Sequence, residues 1–566
     1  MNITTWPAHG LSPHRQAAGT TRSPGQPWLR SISLLIIVGL LSWIGLAQLR
    51  TPDVIPATAP ATSFSAERAM THLDVIASES RAIGLPGHDA TRDYLVTQLT
   101  AMGLHPEIQT TTSVLRFEGA DAFGAGTISN VIARIPGTAN TGAIAINAHY
   151  DGGATGPAAG DNGVGVAVTL ETVRASLAGR PRATDLIIVF SDAEEIGDLG
   201  AAAFNQQHPW ARDVRIAINF EAQGTGGPAM LYATSEHDGW VTGGYLSVAP
   251  EPSAYSMLPE LVRAMPGMRL ACDLEDYLLN GAAGLGFVLA DGTARYHAAT
   301  DTVANIDRGS VQQEGGNTLA AVRHFGSADL ATVPTAPTRV YFTILPGVVV
   351  HYGGDWAIGF AVLASVLAAT AIVLGYRRRL VGVGGTAIGV AALIAGTIIT
   401  ALLVDLIWFL VKATNADYRV LLVGPYQSHQ IVLALTLLAV AIMAAFYTLL
   451  QKRIAALNLM AGAMLMWTLL LWLVTLAAPG ASYYLLWPLL FATIAFGWLV
   501  LTHDRNRHAT VDLAVLAVAL VPVVLLVPGV TYQTVPLLHR VEYLMAITGG
   551  IPLLGLWAIF VAPLVG

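Results

Sequence analysis

The sequence predicts an α/β domain, with a mostly parallel central sheet flanked by helices, followed by an all-α multi-span membrane domain. Three observations carry that reading. Between residues 64 and 330, short runs rich in Ile and Val alternate with stretches of helical periodicity, the pattern of strands joined by crossover helices. Beyond residue 354, apolar runs of about 20 residues, the length that crosses a bilayer as helix, follow one another closely. Charge is also unevenly placed. Only 12% of the 566 residues are charged, against about 25% in an ordinary soluble domain. Residues 355–566 hold 16 of these side chains and residues 1–354 hold 51.

The first part carries 20 basic and 31 acidic side chains, the second 10 and 6. An acidic soluble part joined to an apolar, slightly basic part reads as a tethered domain. Nucleic acid is excluded as a partner of the acidic part, because binding requires a basic face that releases counterions. The single cysteine, Cys272, rules out an internal disulfide and any multi-cysteine metal cage.

Along the chain, residues 1–30 contain Arg15, Arg22 and Arg30 and no acid, which the positive-inside rule places in the cytoplasm. Residues 31–49, SISLLIIVGLLSWIGLAQL, follow as a transmembrane anchor. A cleavable signal peptide is the competing reading, and the long leader without a small-x-small site favours retention. Further spans are expected near 356–376, 384–411, 429–450, 455–477, 484–502, 510–530 and 543–563. Together residues 355–566 form a membrane domain of about seven helices. The clusters Arg377–Arg379, Lys452–Arg453 and Arg505 with Arg507 all fall on the side expected to be cytoplasmic. This puts the domain at 64–330 on the outer face of what reads as a bacterial inner membrane. Asp405 is the one acid well inside a span, where ionisable groups are functional candidates by default; its nearness to Lys412 supports the plainer reading that it reaches the interface.

Within 64–330, the stretch 89–104 has Tyr94, Leu95, Leu99 and Met102 at helical spacing, and 164–179 reads as a second helix. Ser129–Ile135, Ala143–Ala148, Leu186–Phe190, Ile216–Phe220 and Leu285–Leu289 are the strand candidates. Ligands of open α/β sheets bind beyond the carboxyl ends of the strands, and the residues found there are informative. IAINAHYDG delivers His149 and Asp151, LIIVFSDAEEIG delivers Asp192, Glu194 and Glu195, and IAINFEAQG delivers Glu221. GDNGVG supplies Asp161 at a helix start, and ARYHAATDT after the last strand supplies His297 and Asp301. Each element alone has an ordinary structural explanation, a cap or a solvated charge. Converging on one sheet edge, they make a site for divalent metal held by nitrogen and oxygen donors.

In this order the motifs resemble the family-twenty-eight zinc exopeptidases, the group of leucyl-type aminopeptidases, glutamate carboxypeptidases and glutaminyl cyclases. The resemblance covers roughly residues 65–325 and includes the lead-in RAIGLPGHDATRDYL, then HYDG, GDNGVG, SDAEEIG, NFEA and YHAATDT. The layout and NFEAQGTGGPAMLY are similar to the membrane-embedded branch of vacuolar membrane proteases and endoplasmic-reticulum metallopeptidases. The resemblance implies a zinc-exopeptidase fold, phosphorylase/hydrolase-like.

Carried over by position, it implies that His149 and Glu221 bind one Zn2+, that Glu195 and His297 bind another, and that Asp161 bridges the two. It further implies that Asp151 orients the His149 imidazole, that Glu194 is the general base and then acid, and that Tyr296 donates to the oxyanion. Glu221 departs from the Asp usual in the soluble aminopeptidases, so a single-zinc site stays open, as do Co2+ and Mn2+. The function expected is a membrane-anchored aminopeptidase acting on peptide substrates. A glutaminyl-cyclase-like acyltransferase and a carboxypeptidase of the glutamate type are the alternatives. The latter would need a basic pocket, for which Arg263, Arg269 and Arg295 are the available cations.

Overall fold

The computed structural model describes residues 27–116, 123–139, 141–264, 272–416, 428–503 and 509–537. After α1 (Pro27–Leu46) come α2 (Ala66–Ile76), α3 (Pro86–Ala101), β1 (Glu107–Arg116), β2 (Phe123–Ile135), β3 (Ala143–His149), α4 (Gly165–Leu177) and β4 (Asp185–Ser191). The chain continues through α5 (Leu199–Gln207), β5 (Val214–Ala222), β6 (Met230–Thr234), α6 (Gly239–Val248), β7 (Ser253–Ala254), α7 (Met257–Ala264), α8 (Leu274–Leu279), β8 (Ala283–Leu289) and α9 (Arg308–Gly326). A hairpin of β9 (Arg339–Leu345) and β10 (Val348–Gly353) then leads into the apolar helices.

The Ile/Val runs build the middle of an eight-stranded sheet in the order β1-β2-β4-β3-β5-β8-β6-β7. The four central strands, β4, β3, β5 and β8, are parallel, whereas β2 on β4 and β6 on β8 run antiparallel, so the sheet as a whole is mixed. Every residue of β3 and β4 is buried, which explains why these strands lack polar alternation: both faces are covered by helices. The edge strand β1, EIQTTTSVLR, is polar and Thr-rich, as a partly solvated edge permits, and the apolar runs gave no sign of it. In the register, His149 pairs with Ser191 and Asn147 with Asn219, so the carboxyl ends of β3, β4 and β5 finish side by side.

The second half comprises α10 (Asp355–Arg377), α11 (Val383–Thr414), α12 (Ser428–Gln451), α13 (Ala456–Ala477), α14 (Tyr483–Leu501) and α15 (Ala509–Leu537). Among the described residues the first five are long and apolar enough to cross a membrane, while 39–49 and 511–527 form shorter apolar stretches. The stretch expected at 543–563 lies outside the described residues. Many interior positions are small: Ala361, Ala364, Ala368, Ala461, Ala463, Ala492 and Ala495 are buried beside larger residues such as Trp467 and Phe496, while Ile398, Leu402, Phe409 and Leu473 point outward. A Cβ on Gly462 would stand 2.4 Å from the Thr386 carbonyl oxygen, so α11 and α13 touch through backbone, the small-residue contact by which helices associate in lipid. Asp405 is half-buried on α11, and the Lys412 ammonium sits 5.9 Å from the Trp408 ring centre.

The two halves meet through specific polar contacts. The buried Tyr255 hydroxyl donates to Gln48 Oε1 at 2.6 Å, and Gln48 Nε2 donates to the Leu525 carbonyl at 3.0 Å on α15. Ser256 Oγ donates to the Gly480 carbonyl at 2.6 Å, in the turn between α13 and α14. Phe342 stacks on Tyr483 with ring centres 4.4 Å apart. On another side, His429 Nε2, in the first turn of α12, lies 2.5 Å from Asp291 Oδ1 in the loop after β8.

Candidate metal centre

The sheet delivers its polar residues where parallel strands end. His149, at the carboxyl end of β3, is fully buried. Its Nδ1 donates to the Asp151 carbonyl oxygen at 3.2 Å, which fixes the tautomer and turns Nε2 toward the acids. Nε2 lies 3.3 Å from Asp161 Oδ1, 3.7 Å from Glu221 Oε2 and 3.7 Å from Glu194 Oε2. On the other side of Asp161, its Oδ2 is 3.1 Å from His297 Nε2, and that nitrogen is 2.9 Å from Glu195 Oε2. Two sets of three donor atoms result, His149–Asp161–Glu221 and Asp161–Glu195–His297, each with its atoms within 4.8 Å of one another and both containing Asp161.

The residues between the strands hold this arrangement. The Asp151 carboxylate accepts from the Glu194 and Glu195 backbone N–H groups, both at 3.2 Å, so it fixes the loop that bears the acids; its Oδ1 also lies 3.4 Å from His149 Nδ1. Asp301 accepts from the Gly160 N–H at 2.7 Å and from the Asp161 N–H at 3.2 Å. It therefore positions Asp161 through the backbone. Asp192 is turned elsewhere: it pairs with His88 Nε2 at 2.8 Å and accepts from Ser129 N at 2.7 Å, tying α3 and β2 to the end of β4. Asp192 is thus a brace that belongs to neither donor set.

Sequence reasoning missed five contributors. Arg81, fully buried, donates to the Tyr150, Pro157 and Ala158 carbonyls at 2.9, 2.6 and 2.8 Å and brings the loops after β3 together beside the acids. Beneath the donors runs a buried amide chain. Asn219 Nδ2 donates to Glu221 Oε1 at 3.0 Å, and Asn147 Nδ2 donates to Asn219 Oδ1 and to Asp273 Oδ2, each at 2.8 Å. Ser191 Oγ also donates to Asp273 Oδ2. The signal was legible as a repeat, since IAIN precedes both His149 and Glu221. Of the arginines considered for a carboxylate pocket, Arg295 is bonded to Thr225 Oγ1 at 3.3 Å and Arg263 to the Thr234 carbonyl at 3.2 Å; Arg269 lies outside the described residues.

The electrostatics follow from this crowding. Burial lifts the carboxyls of Glu194 and Glu195 above their ordinary range and carries Glu221 up to about 7. Burial alone would lift Asp161 as well, but the adjacent His149 and His297 rings hold it below the usual value. Burial disfavours the His297 imidazolium, yet the Asp161 and Glu195 carboxylates outweigh it and bring the group up to about 10. Burial likewise raises the Tyr296 hydroxyl far above the ordinary phenol, with Asp161 and Glu194 adding to the shift, so it stays a donor.

The residues fit a metal. Among the described residues, His149 Nε2 and Glu195 Oε1 are buried without a hydrogen-bond partner, a costly condition that a cation would relieve. The imidazole-and-carboxylate donors suit Zn2+ and its borderline neighbours.

Residues 130–322 match the profile of peptidase family M28, and the chain therefore contains a domain of that family. Among curated proteins, endoplasmic reticulum metallopeptidase 1 of Mus musculus is 28% identical over 257 residues, covering 44% of this chain and 28% of that protein. The vacuolar membrane protease of Yarrowia lipolytica is 25% identical over 316 residues, covering 52% and 31%. The chain thus spans about a third of the length of these relatives. Among solved structures, an aminopeptidase from Aneurinibacillus sp. strain AM-1 aligns at 16% identity over 48% of this chain and 97% of its own, with a TM-score of 0.38. A glutaminyl cyclase from Porphyromonas gingivalis aligns at 21% identity over 46% and 98%, with a TM-score of 0.37.

Proposed function

We propose that the protein is a membrane-anchored zinc exopeptidase that removes N-terminal residues from peptides, its peptidase domain on the outer face of a bacterial inner membrane. The observation that carries this is the pair of three-donor sets sharing Asp161. His149, Asp161 and Glu221 would hold one ion, and Asp161, Glu195 and His297 the other. Bound divalent ions would lower the pKa of a water and polarise the scissile carbonyl.

The remaining chemistry belongs to side chains. Glu194 reaches to 3.7 Å of His149 Nε2 yet belongs to neither donor set, so its carboxylate is available to take the water's proton and return it to the leaving amine. Its buried, acid-crowded setting raises its proton affinity toward the range useful for both steps. Tyr296, kept protonated by burial, donates a hydrogen bond to the oxyanion that develops on the carbonyl. The two N–H bonds to Asp151 keep the backbone of Glu194 and Glu195 fixed while their side chains work. The outer-face orientation is supported by the basic clusters at 377–379 and 452–453, which lie at the helix ends away from the peptidase domain and agree with the positive-inside rule.

The test uses the full chain in lipid nanodiscs against peptides with free and blocked N-termini. Release of N-terminal residues from the free set, lost on chelation and restored by zinc, is the expected result. Ammonia release from Gln-initiated peptides without bond hydrolysis, or release of C-terminal residues, would replace the proposal with a cyclase or a carboxypeptidase.

A further inference from the structure

We propose that the membrane half is a working part of the metal centre: His429, at the start of α12, is a positioning residue for His297 and acts through Asp291. The inference rests on the reading of His297 as a metal ligand and goes beyond it, because it gives the apolar helices a task other than anchoring.

Asp291 follows β8 and is pinned through its backbone, its N–H donating to the Gly226 carbonyl at 3.0 Å and its carbonyl accepting from Thr225 N at 2.8 Å. Its Oδ1 accepts from the Gly292 N–H at 2.5 Å, and the same oxygen faces His429 Nε2 at 2.5 Å. The chain then runs from Gly292, in the left-handed region at φ +73°, through one tight turn. Within that turn Arg295 N donates to the Gly292 carbonyl at 2.9 Å and Tyr296 N to that of Thr293 at 3.0 Å. It ends at His297, itself left-handed at φ +52°, an uncommon conformation for a residue with a Cβ. Five residues in one hydrogen-bonded turn separate the carboxylate facing His429 from the imidazole that faces Asp161 and Glu195. A displacement of Asp291 Oδ1 is therefore passed to His297.

The plainer explanation, a tether between the two halves, is already served elsewhere. Tyr255–Gln48, Ser256–Gly480 and Phe342–Tyr483 join the halves, and none of them involves residues 291–297. His429 is the contact among these that reaches the turn carrying a donor of the metal centre.

The experiment compares full-length wild type, His429→Ala, His429→Gln and Gln48→Ala in nanodiscs, each titrated with zinc against a chelating indicator and melted thermally. Loss of a partner behind a ligand typically weakens metal binding by roughly 10- to 100-fold. His429→Ala is expected to weaken one ion by about tenfold and leave the other unchanged. His429→Gln, which retains an N–H donor, should recover most of that affinity. Gln48→Ala should lower the melting temperature with both affinities intact. Wild-type affinity for both ions in His429→Ala would overturn the proposal, as would an equal loss in Gln48→Ala. The readout is metal affinity, so a chain that binds zinc but cleaves no peptide would defeat the proposed function while leaving this comparison decisive.

Discussion

The two donor sets share Asp161 but are built differently. In the inner one, His149 and Glu221 stand at the ends of β3 and β5, paired in parallel register and fully or nearly buried, with Asn219, Asn147, Ser191 and Asp273 bonded beneath them. In the outer one, Glu195 and His297 sit on loops, and the His297 side chain is 30% exposed. Its support comes from Asp151, from the turn after Asp291, and from a helix of the other half. A sheet fixes side chains by register at no further cost in order. A loop must be fixed contact by contact, and each contact is a place where affinity can be tuned. The contrast teaches that two sets of similar donors need not hold an ion equally well, and four experiments probe that difference.

The largest effect is expected at Glu194, the proposed proton carrier. Glu194→Gln should lose on the order of 10³-fold in kcat, within the usual worth of a positioned acid-base group, while both zinc ions remain bound by competition titration. Near-normal turnover in that variant would remove Glu194 from the mechanism, and loss of an ion would make it a ligand instead.

The next experiment separates the sets. Asn219→Ala withdraws the 3.0 Å bond to Glu221 Oε1 and should weaken the inner ion by roughly 10- to 100-fold, with the outer ion unaffected. This is the mirror image of His429→Ala. Equal weakening of both ions by Asn219→Ala would show that the shared Asp161 couples them too tightly for the strand-and-loop distinction to matter.

The same distinction explains what the sequence revealed. Residues at strand ends stand out, because a His or acid directly after an Ile/Val run has little reason to be there except a ligand or a cap. His149, Glu194, Glu195 and Glu221 were legible for that reason, as were the parallel central strands. Asp192, in the same kind of position, became a brace to His88, and only the three-dimensional path of α3 decides this. Arg81 and Asp273 were illegible because the groups they meet, the Tyr150, Pro157 and Ala158 carbonyls for Arg81 and the Asn147 amide and Ser191 hydroxyl for Asp273, lie 69 to 126 positions away. Asn147 and Asn219 carried a signal, the repeated IAIN, whose meaning needs the register that sets the two asparagines side by side. His429 looked like the polar start of an apolar run, and its contact with Asp291 joins residues 138 apart in sequence.

A pH series tests the outer set without mutation. In metal-free protein the His297 pKa stands at about 10 against 6.5 for the free side chain. The folded state therefore holds a proton that the unfolded chain releases between those values. Stability from this group is complete below 6.5 and is lost as pH rises through 10, and His149, also raised, acts in the same direction. The melting temperature of chelated protein should therefore fall across that window. Zinc, which displaces the protons, should flatten the profile while raising it. A chelated profile that is already flat would mean that the carboxylates do not hold His297 protonated.

The smallest effect on chemistry is expected from Glu314, and it sharpens the comparison by isolating burial from coordination. This residue on α9 is 2% exposed, and among the described residues both its carboxylate oxygens lack a hydrogen-bond partner. Burial, with a lesser contribution from Glu221, lifts it to about 8 from 4.5. It is a buried acid of the same domain that belongs to neither donor set found among the described residues, and with its carboxyl lifted to about 8 the protonated form predominates at pH 7. Because its folded pKa is raised, the native state binds the extra proton between 4.5 and 8, and stability falls with rising pH across that window, by on the order of 1.4 kcal/mol per pH unit. Glu314→Gln keeps the shape and removes the titration. Its advantage in melting temperature over wild type should therefore grow from pH 5 to pH 8, with turnover and both zinc affinities unchanged. A constant advantage across that range would mean that Glu314 ionises freely, through water or a cation that reaches it. A change in zinc affinity at the inner set would mean that its proximity to Glu221 is electrostatically felt, and that the sheet-built half of the centre is tuned from α9 as the loop-built half is from α12.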